Sequence, residues 1–151
     1  MKYRTLDEIR PVADVQSAGT LSPREIRRQR LQRLAEVLER HDGPVRLLSR
    51  IEYYPEEERR AWREDDSPLY IAFSDSSFRR DGLVSDRFGD VMEFFDLSSG
   101  EAHHLFCDCH YPGRVTSQMI ADRVRSVARG SMLRNAFDAM IGWFSPQART
   151  A

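Results

Sequence analysis

Three of the four histidines and both cysteines of this 151-residue chain fall in one short run, His103-His104-Leu105-Phe106-Cys107-Asp108-Cys109-His110. Imidazole and thiolate are the donors that zinc, iron and copper accept. On a single helix advancing about 100° per residue, the run sorts into three faces. Ala102, Leu105, Phe106 and Cys109 would turn to the core. His103, Cys107 and His110 stand at i, i+4, i+7 and form the candidate metal face. Glu101, His104 and Asp108 form an adjoining polar face, able to ligate in their place or to support them. The cofactor expected here is a transition metal, zinc or iron, which Cys107→Ser would release. On a strand His103 and Cys107 stay together while His110 turns away.

Other chemistries for the same residues are weaker. Glu101 and His104 spell the E-x-x-H pair of di-iron bundles, but those bundles need a second copy, which this chain lacks. Cys107-Asp108-Cys109-His110 is one residue short of the C-x-x-C-H haem-attachment motif. Cys107 beside His103 or His110 has the makings of a thiolate–imidazolium pair, yet no third orienting group is identifiable. The plain alternative is that Cys109 is a small core residue and the histidines are a solvated polar face.

The rest of the composition excludes more than it assigns. Lys2 is the sole lysine, so Schiff-base chemistry and a Walker A loop are out. No two of the eight glycines stand closer than seven residues apart, which rules out GxGxxG turns and GxSxG elbows. A charge of −1, with 40% hydrophobic and 31% charged residues, fits one globular domain. The longest apolar run is Leu69-Tyr70-Ile71-Ala72-Phe73, far below the ~18 residues of a membrane span. The first twenty residues hold no apolar signal core, so the expectation is a cytoplasmic protein with no membrane partner.

The elements that must position these residues are announced mainly by their starts. Ser22-Pro23 with Glu25 predicts a helix N-terminus, with Leu21 and Ile26 as its hydrophobic staple. Leu31, Leu34, Ala35 and Leu38 continue one buried stripe to about His41. Residues 45–54 are ambiguous between strand and helix. Residues 55–63 place acids first and bases last, as a helix dipole prefers. Ser67-Pro68 is a second cap-and-proline start. Phe88, Val91, Met92 and Phe95 share one helical face, and Ser98-Ser99-Gly100-Glu101 is a capping box for the next helix. Ile120, Val124 and Val127 form a stripe expected to end at Gly130, with Ser131 capping a last helix.

The fold expected is therefore all-α, one irregular bundle of six to eight short helices over residues 21–145. Residues 1–20 are an arm and 146–151 a tail. The alternative is α+β, with an antiparallel meander in residues 45–110.

Two surfaces complete the reading. The first helix has a basic face at Arg24, Arg27 and Arg28, while residues 51–114 carry 15 acidic and 7 basic groups. That acidic middle is a nearer partner for the arginines than nucleic acid, for which no recognition motif is present. The last helix is apolar nearly all round, through Met132, Phe137, Met140, Ile141, Trp143 and Phe144. A helix of that kind must be covered on every side. The leading expectation is a small non-enzymatic helical protein, regulatory or accessory, that binds another protein or a second copy of itself. The alternative is a metal- or redox-responsive protein built on residues 103–110.

Overall fold

A computed structural model describes residues 19–144, and side chains from 19 to 130. Most of the expected arm, the tail and the side chains of Met132, Phe137, Met140, Ile141, Trp143 and Phe144 lie outside the described residues. Seven α-helices succeed one another: α1 (Pro23–Glu39), α2 (Glu56–Ala61), α3 (Pro68–Ser74), α4 (Ser76–Arg80), α5 (Phe88–Phe94), α6 (Ser99–Phe106) and α7 (Ser117–Phe144). Single 3₁₀ turns occupy Ile51–Tyr53 and Asp108–His110. The molecule is all-α, with no strand among the described residues. The meander alternative falls, because residues 45–110 spend their backbone hydrogen bonds within short helices. The exceptions are one parallel bridge, Leu48 to Cys107, and single bonds from the Arg46 N–H to Asp66 O and from the Phe88 N–H to Trp62 O.

The caps explain why the helices start where they do. Ser22 accepts from the Glu25 N–H at 3.2 Å with Pro23 in the first turn, and Ser67 does the same for Tyr70 ahead of Pro68. At Ser98 the box is reciprocal: its hydroxyl accepts from the Glu101 N–H at 3.1 Å, and the Glu101 carboxylate accepts from the Ser98 N–H at 2.9 Å. Glu25 does not reach back in this way. It pairs instead with Arg28 and Gln29, and Leu21 and Ile26 remain exposed.

The long helices α1 and α7 form the most extensive helix pair and set the frame. Leu31, Leu34, Ala35 and Leu38 on one are buried as their spacing predicts; on the other Ile120 and Val124 are buried as expected, with Ala121 beside them, while Val127 is only partly buried. Gly130 does not end the helix as expected; α7 runs unbroken for 28 residues. A helical glycine costs only about 1 kcal/mol relative to alanine, less than continued hydrogen bonding on both sides returns.

Around this pair, Phe78, Phe94 and Phe95 meet edge to face at 4.9–5.8 Å. The arginines of α1 largely turn inward on the chain. Arg30 lies 4.0 Å over the Phe94 ring and donates to its carbonyl, and Arg27 joins Asp96 O to Glu101. Arg28 is held by Glu25, while Arg24 stays exposed.

Candidate metal centre

Helix α6 ends at Phe106, and that ending rebuilds the faces of the histidine–cysteine run. Cys107 is extended (φ −101°, ψ 140°), although its N–H still closes the helix on His103 O at 3.1 Å. Leu48 holds the chain on both sides of it: the Leu48 N–H donates to Phe106 O, and Leu48 O accepts from the Asp108 N–H, each at 2.9 Å. The 3₁₀ turn Asp108–His110 then folds Cys109 and His110 back toward α6. Tyr111 fastens the far end, its buried hydroxyl donating to Leu105 O at 2.7 Å. Arg123 of α7 covers the Tyr111 ring at 3.7 Å and donates to the carbonyls of His104 and His110.

The two cysteines therefore exchange the places expected of them. Cys107, expected on the metal face, is 1% exposed in the core. Cys109, expected in the core, is exposed and lies with the imidazoles. The reason is the bridge to Leu48, which converts a helical advance of about 100° per residue into an extended step and reverses the facing of the residues beyond it. His103 and His110 do come together as expected: His103 Nδ1 and His110 Nε2 share a hydrogen bond at 2.8 Å, and the rings meet edge to face. Cys109 Sγ stands 3.9 Å from His103 Nε2. One donor atom from each of His103, Cys109 and His110 fits within 4.8 Å.

The three residues of the adjoining polar face do not form a second ligand set. Glu101 is engaged by the Ser98 amide and Arg27, which hold its carboxyl below the usual carboxylate range against the opposing effect of burial. The His104 ring lies tilted against His110, 5.2 Å between centroids, and burial, then the charge of Arg123, lowers its proton affinity. Asp108 turns to a cleft of about 560 Å³ lined also by His41, Arg46 and Arg114.

A residue outside the run approaches one member of the cluster. Glu52, on the 3₁₀ turn Ile51–Tyr53, brings Oε2 to 3.6 Å from His103 Nε2. No local pattern points to it, since the approach depends on the Leu48–Cys107 bridge. For Cys109 the sequence does hold a signal: Pro112 disfavours an unbroken helix through residue 110 and beyond.

The electrostatics separate metal binding from nucleophilic catalysis. Burial pushes the Cys107 thiol up to about 12, so it stays protonated and inert. The Cys109 thiol is also raised, by desolvation and by the carboxylates of Glu52 and Asp108. A nucleophilic cysteine needs the opposite shift. A cation, by contrast, is favoured by the same carboxylates and replaces the thiol proton. Comparison of the chain with models of protein families, with curated proteins and with solved structures finds no match to any of them.

Proposed function

We propose that the chain is a metal-responsive helical protein that binds one transition-metal ion of the zinc class through His103, Cys109 and His110. The observation that carries this reading is the convergence of three nitrogen and sulfur donors within 4.8 Å. The donors of a tetrahedral ion, each about 2.0–2.3 Å from it, stand roughly 3.3–3.8 Å apart. The Cys109–His103 distance of 3.9 Å is close to that spacing. His110 Nε2 now shares a hydrogen bond at 2.8 Å with the other ring nitrogen of His103, Nδ1, and must leave it to turn a donor toward the ion.

Elemental analysis of tag-free protein, purified under reducing conditions, tests the reading directly. Near-stoichiometric zinc or iron that disappears in Cys109→Ser and persists in Cys107→Ser is the expected result. Metal-free wild-type protein that also fails to take up added zinc overturns it.

A second reading, binding of another protein or of a second copy through residues 131–144, is supported by the length of α7. At 1.5 Å per residue its 28 residues reach roughly 42 Å, against about 26 Å for the 17 of α1. Light scattering on the same sample separates a self-associating chain from a monomer. A monomer whose residues 131–144 resist proteolysis to the same degree as its core sinks this second reading.

A further inference from the structure

We infer that Glu52 is the fourth ligand of the ion, closing the site as a tetrahedral centre of two imidazoles, one thiolate and one carboxylate. The inference rests on the metal reading above and deepens it. Each imidazole offers one nitrogen to an ion, and the Nε2 edge of His103 is where donors gather. Glu52 Oε2 is 3.6 Å from that atom and Cys109 Sγ 3.9 Å, both near the separations that a shared tetrahedral ion sets. His110 now bonds the other nitrogen of His103, and joins the ion by giving up that hydrogen bond. The thiol proton of Cys109 leaves to solvent as the sulfur coordinates. The four donors then supply a net charge of −2, which neutralises a divalent cation.

The backbone delivers Glu52 to this position rather than leaving it to chance. Leu48 is tied to residues 106–108, Arg50 turns the chain through a left-handed conformation (φ 59°), and Ile51 plugs into the core at 1% exposed. Glu52 therefore emerges from a turn anchored on its N-terminal side. Its neighbour Tyr53 is 81% exposed. An ion held by Glu52 fastens this turn, and the tyrosine it displays, to the end of α6.

The oxygen donor also bears on metal identity. A donor set of two nitrogens, one sulfur and one oxygen in tetrahedral array suits zinc, and a filled fourth position leaves none open for a reacting water. The site is accordingly one that senses or stabilises rather than one that hydrolyses.

The test compares wild-type protein, Glu52→Gln and Cys109→Ser, with Co²⁺ as spectroscopic probe and Zn²⁺ as competitor. Glu52 is exposed, and circular dichroism verifies that its variant keeps the fold. Wild type is expected to give the intense visible bands of tetrahedral Co²⁺. Glu52→Gln is expected to bind at least about tenfold more weakly, since loss of even an outer-shell partner costs 10–100-fold. Its bands should weaken as water enters the coordination sphere. Amide exchange at residues 50–54 should slow on Zn²⁺ addition in wild type but not in Glu52→Gln. Equal affinity and equal spectra in the two proteins overturn the fourth-ligand inference while leaving the three-donor reading intact. No binding by wild type, or binding unchanged in Cys109→Ser, overturns both.

Discussion

Cys107 and Cys109 carry the same functional group two positions apart, and the difference between them is solvent. Burial holds the Cys107 thiol near 12, while Cys109 is exposed beside two imidazoles. Native protein is therefore expected to take one equivalent of iodoacetamide, at Cys109, and a second only after denaturation. Because partial desolvation, then the charges of Glu52 and Asp108, hold the Cys109 thiol above its ordinary value, alkylation should run slower than for a free cysteine. Tandem mass spectrometry of the tryptic peptide that carries both cysteines, Phe88–Arg114, places the label on one or the other, and saturating Zn²⁺ should suppress the first. Cys107→Ser buries a hydroxyl without an evident partner, which costs about 1–3 kcal/mol in proteins. A lowered urea midpoint with unchanged metal uptake is the expected signature. Prompt labelling of Cys107 in the native state is incompatible with the placement of that residue.

At the scale of elements, interactions spanning three or four residues are legible in the sequence and those spanning the chain are not. Ser22-Pro23, Ser67-Pro68 and Ser98 with Glu101 announce their helices because a cap and the amide it serves are neighbours in sequence. The stripe at Leu31, Leu34, Ala35 and Leu38 is legible for the same reason. The end of α6 is different. It is imposed by Leu48, remote in sequence, whose amide and carbonyl bracket Cys107. No periodicity within 103–110 contains that fact, so the spacing marks the cluster but assigns the wrong cysteine to it. Residues 45–54 are ambiguous in sequence because they are neither strand nor helix for most of their length, only a bridge and a single 3₁₀ turn. The capping box offers a direct check on what local signals contribute. Ser98→Ala removes the acceptor for the Glu101 N–H, and cap losses of this kind cost about 1 kcal/mol. Urea unfolding should show a loss of that order. Ser98→Asp, which restores an acceptor at a helix N-terminus, should recover most of it. Equal stability of Ser98→Ala and wild type would falsify a structural role for the box.

For the molecule as a whole, the charge pattern matters most where the two long helices meet. Glu39 at the end of α1 accepts from Arg125 at 2.6 Å and from Gln118 at 3.1 Å, both on α7, and Ser117 donates to His41 O at 3.1 Å. These contacts close the open end of the helix pair above its apolar stripe. The Arg125 guanidinium and the Gln118 amide hold the Glu39 carboxyl at about 2, against an ordinary value of 4.5. The folded state therefore binds this proton less readily than the unfolded chain does. Its contribution is fully present above about pH 4.5 and fades as pH falls toward 2, because protonation removes the charge that the folded geometry favours. The pair is exposed, so salt screens it and its weight in stability is modest. Thermal unfolding of wild type and Glu39→Gln between pH 6 and pH 2 reads this out. Wild type should be the more stable above pH 4.5, and the two curves should converge as pH approaches 2. The gap should also narrow at molar salt. Parallel curves across the whole range would mean that the apolar stripe holds α1 on α7 without help from Glu39. An acid collapse shared by both proteins would instead belong to other carboxylates with inward partners, of which Glu101, lying between Ser98 and Arg27, is one.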